Sequence, residues 1–413
     1  MEVGGCDLVE LARAHGTPLY VYDEATVRQR AGEYVAAMGG AGQVLYSAKA
    51  FASPQFLRVI AEEGLGLDVV SAGELHLALK SDFPRDRIHF LGNNKSLEDL
   101  EAAYAAGATI VIDGDHEFDL LRHVVPDGKR ASVMLRLSPG VNPDTHDHIS
   151  TGQLDSKFGF SIESGAARKA VESALKHPRL ELVGLHSHIG SQIFALRAYE
   201  DAMEIMLGLL VELRDGLGFQ PRKLGAGGGL GIAYTQHDDP PTPRHFVETV
   251  RQALEMGCAR RHLKVPELVV EPGRSIAGPA GMALYTVGSI KDIPGVRRYV
   301  AVDGGMGDNI RPKLYGARYE AFLASDPDRS PDGKVTIAGK YCESTDILIT
   351  DIPMPPLQPG DVIAVPAAGA YCLAMASNYN GMPRPEVLML RDGEARVMRR
   401  RETLDDLLAA EVF

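Results

Sequence analysis

QVLYSAKAFASPQFLRVIAEEGLGLDVVSAGELHLALK, residues 43–80, sets the architecture. Gln43–Ser47 is a short, β-rich apolar run, and Pro54–Glu63 carries apolar residues at three- and four-residue intervals. The pair then repeats as Gly66–Ser71 and Gly73–Lys80. Strand, helix, strand, helix is the order of a parallel sheet with crossover helices. The pattern continues through strands at Arg87–Leu91, Thr109–Asp113, Ser132–Leu137, Leu182–His186, Arg222–Ala226 and Glu267–Glu271. Helical segments lie between most of them, at Ser96–Ala106, Glu163–Lys176, Ala198–Asp215 and Arg244–Met256. Eight such units predict an α/β chain built on a closed, TIM-like (β/α)8 barrel over residues 29–273. After Arg274 the texture changes to Val/Ile/Tyr-rich runs broken by Gly, Pro and Asp: Gly333–Ala338, Ile347–Thr350, Asp361–Val365 and Val387–Arg391. This is a C-terminal β-rich domain, a sandwich or small barrel. It is expected to comprise residues 274–413 together with 1–28, because Pro18–Tyr22 reads as one more strand for its sheet.

The 413 residues are 45% hydrophobic and 24% charged, which excludes a disordered or fibrous chain. Lys plus Arg minus Asp plus Glu is 43 − 55 = −12, and without a basic face no nucleic-acid partner is expected. Cys6, Cys258, Cys342 and Cys372 form no CxxC pair, so neither a structural zinc site nor a disulfide framework is expected. The opening residues carry acids before any base, and nowhere do eighteen apolar residues run together. A soluble, cytoplasmic protein with no membrane partner is expected.

Barrels of this type carry their chemistry where strands end and βα loops begin. Lys49 stands at the end of the first strand. Desolvation there lowers an amine's pKa and frees it to attack a carbonyl, so Schiff-base chemistry is the working idea. The sixth strand runs into His186-Ser187-His188, two rings on one face with no third metal ligand nearby. No metal is expected; a ring presented for stacking fits His188, and a satisfied core histidine fits His186 better. The seventh strand ends in Gly225-Ala226-Gly227-Gly228-Gly229-Leu230-Gly231, where backbone N–H groups can approach a phosphate. The eighth places Glu271 at the end of an apolar run, where a buried carboxylate needs a partner: Arg274 in a structural ion pair, or the cation of a ligand such as a protonated pyridine. An amine, a stackable ring, an anion nest and a buried carboxylate together match pyridoxal 5′-phosphate group by group.

These residues resemble the alanine-racemase-fold pyridoxal-phosphate decarboxylases, and within them the diaminopimelate decarboxylases. The resemblance runs in order through Lys49, HIGSQ at His188–Gln192, GGGLG at Gly227–Gly231 and EPGR at Glu271–Arg274. It continues in STGQLDSKFGF at Ser150–Phe160, DNIRPKLYGARYE at Asp308–Glu320, CESTDIL at Cys342–Leu348 and ASNYNGMPRP at Ala376–Pro385. It implies decarboxylation of meso-2,6-diaminopimelate to L-lysine and carbon dioxide, the last step of lysine biosynthesis. It implies that Lys49 holds the cofactor as a Schiff base, that His188 stacks on the ring, and that Ser191, Gly227, Gly228, Gly229 and Tyr371 bind the phosphate. Glu271 would keep the ring nitrogen protonated, with Pro272, Gly273 and Arg274 lining the cofactor beside it. Arg274, Arg311 and Tyr315 would hold the substrate's far carboxylate, Glu343 its far ammonium, with Tyr371 also touching substrate, and Cys342 would deliver a proton to the reacting carbon. The Cys342–Glu343 loop would complete the partner subunit's site, making a homodimer.

The rivals are sibling decarboxylases for ornithine, arginine or a carboxylated polyamine, a catalytically silent cofactor-binding paralogue, and a racemase on the same barrel. Arg311 and Tyr315 speak against the first, because an amine-ended substrate has little use for an arginine at its far end. Thr345 stands where the family usually has glycine, which predicts strain if that backbone needs a positive φ. Cys6, Cys258 and Cys372 read as small buried hydrophobes. His148, Asp155 and Lys157 lie in a family-like stretch without an assigned role.

Overall fold

A computed structural model describes residues 1–141 and 156–413. Two compact units emerge. One comprises Arg30–Gly231 and Pro240–Ser275; the other comprises Met1–Gln29, Ile232–Asp239 and Ile276–Phe413.

The first unit is the barrel. Its strands are β1 (Gly42–Ser47), β2 (Gly66–Val69), β3 (Ile88–Phe90), β4 (Thr109–Ile112), β5 (Ala131–Ser138), β6 (Leu180–Ser187), β7 (Lys223–Gly227) and β8 (Glu267–Val270). Every neighbour is parallel, and β8 pairs back onto β1 through Leu268 opposite Gly42, closing the ring. Strands covered on both faces have no polar face to show, which is why they read as continuous apolar runs. The first three crossover helices, Pro54–Glu62, Ala72–Lys80 and Leu97–Ala106, start on side-chain caps. Ser53 accepts from the Phe56 N–H and Ser71 from the Glu74 N–H, while Ser96 and Asp99 form a reciprocal box. Each such cap stabilises its helix by about 1 kcal/mol. They hold the strand ends where the βα loops begin.

In the second unit a seven-strand path runs Ile347–Met354, Gly333–Ala338, Arg297–Val302, Gly281–Ile293, Leu19–Asp23, Glu386–Arg391, Glu394–Arg399. Val362–Val365 pairs with both Gly281–Ile293 and Phe322–Leu323. Leu19–Asp23 lies inside the sheet, antiparallel to Gly281–Ile293 and parallel to Glu386–Arg391. One face buries Leu8, Leu11, Leu19, Val21, Leu284, Leu388 and Leu390 together. Among the described residues no helix is long and apolar enough to cross a membrane.

Candidate active site

Five barrel strands deliver charged or aromatic groups to one end of the ring. Lys49, half-buried in a single 3-10 turn directly after β1, lies within the electrostatic reach of Asp68, His188 and Glu271. The ends of β1 and β8 are locked together, because Ser47 N–H donates to the Pro272 carbonyl at 3.0 Å. Asp68 on β2 is fully buried and accepts from Ser47 Oγ at 2.6 Å. Burial raises its carboxyl, and the Glu271 charge adds to that, while Lys49 opposes both.

Glu271 is also buried. Its Oε2 meets His186 Nε2 at 2.9 Å, so the partner is this histidine rather than Arg274, the ion-pair alternative suggested by sequence proximity. Arg274 instead donates from Nη2 to Ser191 Oγ at 2.9 Å. Burial alone would lift the Glu271 carboxyl, but the charge and hydrogen bond of His186 outweigh it and hold it below the usual carboxylate range. It stays ionised. Its second oxygen, Oε1, is buried with no hydrogen-bond partner among the described residues.

His188 is neutral. Loss of solvent around the ring, reinforced by Lys49 and Arg136, pushes its pKa well below the ordinary value. Its Nδ1 accepts from the Gly228 N–H at 3.3 Å, which leaves the proton on Nε2.

The glycine run after β7 is a close-packed nest. A Cβ on Gly228 would sit 2.0 Å from the Glu271 carbonyl oxygen, and one on Gly229, at φ +101°, 2.3 Å from that of Gly190. No other residue fits either position without moving backbone.

The second unit places its sequence-predicted residues differently. Arg311 opens the short helix Arg311–Tyr315 and is 4% exposed. Its Nη1 donates to Tyr234 Oη at 2.8 Å and to Tyr319 Oη at 2.5 Å, and its charge lies 4.8 Å from the Tyr234 ring centroid. Tyr315, expected to share a carboxylate with it, is 64% exposed at the helix's other end. Cys342 and Glu343 are exposed, on a loop held by the Cys342 N–H to Asn380 Oδ1 (2.8 Å) and by the Tyr341 N–H to Asp346 Oδ2 (2.9 Å). Thr345 does not adopt a positive φ, so the strain foreseen from its β-branch does not arise. Tyr371 does, at φ +63°, an uncommon conformation for an aromatic residue that tends to mark functional loops. His148 and Asp155 lie outside the described residues, as does Ser150–Asp155 of the family-like stretch. Lys157 rests over the Phe158 ring at 4.8 Å.

Residues 24–278 match the pyridoxal binding domain of the pyridoxal-dependent decarboxylases. The chain belongs to this family. Curated diaminopimelate decarboxylases from Bacillus subtilis and Bacillus methanolicus are 47% and 46% identical to it. They align with 100% and 97% of this chain and 95% and 94% of their own lengths. The crystal structure of a diaminopimelate decarboxylase from M. jannaschii in co-complex with L-lysine superposes with a TM-score of 0.90 at 34% identity, over 98% of this chain and 94% of that one.

Pyridoxal 5′-phosphate is the cofactor of this pyridoxal-dependent decarboxylase, and the barrel end fits it. Glu271 Oε1 is an acceptor with no partner among the described residues, the Gly227–Gly229 nest admits backbone but no side chain, and Lys49 offers an amine within electrostatic reach of Glu271.

Sequence reasoning missed several groups in the same decarboxylase barrel. Asp68 lies beside Lys49, and Arg136 on β5 has Nη1 3.6 Å from Asp113 Oδ2 and its guanidinium 4.3 Å from the Phe158 ring centroid. Both are charges inside buried strands, the same signal that singled out Glu271. His89 on β3, which burial lowers to a pKa of about 3, is a neutral ring in the same interior.

Proposed function

We propose that the chain decarboxylates meso-2,6-diaminopimelate to L-lysine and carbon dioxide. The observation that carries the reading is the buried guanidinium of Arg311, which among the described residues forms no ion pair with a carboxylate. A buried cation held only by neutral hydroxyls is costly unless an anionic ligand meets it. A substrate carrying a second carboxylate far from the reacting carbon supplies that anion; ornithine and arginine do not.

When bound, the cofactor supplies an electron sink for the pair released as carbon dioxide leaves. Lys49 holds it covalently, and the ionised Glu271 keeps a proton on the ring nitrogen. His188, being neutral, offers a flat face that does not compete for that proton. Ser191, Tyr371 and the glycine nest hold the phosphate. Arg311 grips the remote carboxylate with Arg274 and Tyr315, and Glu343 takes the remote ammonium. Placing the arginines at that end matters, since pairing the departing carboxylate with a cation would stabilise the ground state and raise the barrier. Cys342 delivers the proton that replaces carbon dioxide.

The test is a substrate panel. Purified protein with pyridoxal 5′-phosphate should release carbon dioxide and lysine from the meso isomer and favour it over ornithine and arginine by about 10⁴ in kcat/KM, because those substrates leave buried charge unmatched. Comparable turnover of ornithine or arginine would overturn the assignment.

The working unit in this reading is a cytoplasmic homodimer with shared sites, which is supported by the exposure of Cys342, Glu343 and Tyr315, groups whose roles require a dry setting. The four free cysteines suit a reducing compartment. Lys49→Ala and Cys342→Ala are each expected to be inactive alone. Mixed and allowed to exchange, they should regain roughly a quarter of parental activity, because half the dimers then carry one intact site of two. No regain would sink the shared-site arrangement.

A further inference from the structure

The anchorage of Arg311 is more elaborate than a buried cation requires, and it includes a thiol. Nη1 donates to Tyr319 Oη, so the tyrosyl proton must be directed elsewhere, and Cys372 Sγ lies 3.5 Å away. The thiol in turn lies 3.4 Å from Asn309 Oδ1. That same oxygen accepts the Arg311 backbone N–H at 3.3 Å. Four side chains, all buried, thus close a ring of hydrogen bonds: one path runs from the Arg311 guanidinium through Tyr319 and Cys372, the other comes directly from the Arg311 backbone N–H, and both end on Asn309 Oδ1.

We infer that Cys372 is a positioning residue for substrate recognition: with Tyr319 and Asn309 it fixes the Arg311 guanidinium so that one edge remains for a carboxylate. The inference deepens the proposed function and rests on Arg311 binding the substrate's remote carboxylate.

The geometry shows how. Both tyrosyl contacts, from Tyr234 and Tyr319, fall on Nη1, while Nε is buried with no partner among the described residues. A guanidinium tied at Nη1 presents its Nε–Nη2 edge, the fork that takes a carboxylate through two parallel hydrogen bonds. The two rings stand edge to face at 5.3 Å and 81°, and they flank the cation at 4.8 and 5.8 Å. Every acceptor in the ring is neutral. The clamp therefore orients the positive charge without cancelling it, leaving it for the ligand. A small buried hydrophobe at 372 would fill the same space but could not accept the Tyr319 proton and pass one to Asn309.

The experiment compares Cys372→Ala, Cys372→Ser and Tyr319→Phe as cofactor-loaded, full-length enzymes. It measures kcat and KM for meso-diaminopimelate, the dissociation constant of pimelate by calorimetry, and the thermal midpoint. Pimelate is a seven-carbon dicarboxylate without amines, so its binding reports the anion site independently of turnover. Cys372→Ala should raise KM and the pimelate constant about fivefold, the size of one neutral hydrogen bond, and Tyr319→Phe about 30-fold, that of one to a charged group. In both variants kcat should stay within about twofold and the midpoint within about 2 °C. Cys372→Ser, which keeps a donor and an acceptor, should return both constants to within about twofold of the parent.

Parental constants in Cys372→Ala, no rescue by serine, or kcat and midpoint falling together with affinity would each overturn the inference. If the parent binds pimelate through the ring but does not turn over diaminopimelate, the proposed function fails and the clamp stands. If the parent decarboxylates diaminopimelate and Cys372→Ala matches it, the clamp alone fails. If the parent does neither, both fall.

Discussion

Lys49→Ala is expected to yield a folded chain that retains no covalently held cofactor, loses the visible absorbance band of the bound aldehyde, and turns over at least about 10³-fold more slowly. The physical ground is its placement. Lys49 follows β1 without an intervening loop and is the cation facing Asp68 and Glu271, two buried carboxyl groups that repel each other. Removing the amine takes away the bond to the cofactor and also the charge that offsets both acids. A modest fall in thermal midpoint should therefore accompany the catalytic loss, with far-ultraviolet dichroism unchanged. Borohydride, which fixes a lysine–aldehyde bond irreversibly, should label the parent and leave the variant unlabelled. A variant that keeps the band and the label would show that another lysine carries the cofactor.

Glu271→Gln is expected to lower kcat by about 10²- to 10³-fold while the cofactor stays attached to Lys49. The substitution preserves shape and removes one negative charge. In the parent, His186 holds the carboxyl ionised despite burial, and Oε1 has no partner among the described residues. A carboxyl whose folded value is depressed is favoured by the fold in its ionised form, so the glutamine variant should be somewhat less stable than the parent at neutral pH. The pH dependence follows from the sign of the shift. The folded-state carboxyl lies below its unfolded value, so Glu271 contributes stability fully above the unfolded value of 4.5, and that contribution is lost as pH falls through the lower folded value. The acid limb of the parent's stability profile should accordingly flatten in Glu271→Gln. A kcat within about threefold of the parent would remove Glu271 from the mechanism.

The barrel was legible because strands buried on both faces must be continuously apolar, and the helices between them carry a single apolar stripe. All eight expected strands are present. Gly281–Ile293 was less legible, because its first half is buried and its second half exposed, so neither an alternating nor a continuous pattern runs through it. In the site, Lys49 and Glu271 announced themselves as charges at the ends of apolar strands. Asp68 and Arg136 carry the same mark inside β2 and β5 and were passed over. The partner of Glu271 could not be read from its neighbours, since Arg274 lies three residues away and His186 eighty-five. Cys372, which reads as a filler, turns out to share hydrogen bonds with Tyr319 and Asn309, 53 and 63 residues distant along the chain.

Periodicity, cap residues and glycine runs are local quantities, and they were enough to give the order of strands and helices and to mark candidate groups at the strand ends. Pairing is not local. That β8 closes onto β1, that His186 rather than Arg274 keeps Glu271 ionised, and that Arg311 is held by neutral hydroxyls and a thiol were settled only by folding. The reason is that hydrogen bonds and charge interactions in a low-dielectric interior depend on ångström separations between groups distant in sequence, and no pattern of residue types encodes those separations.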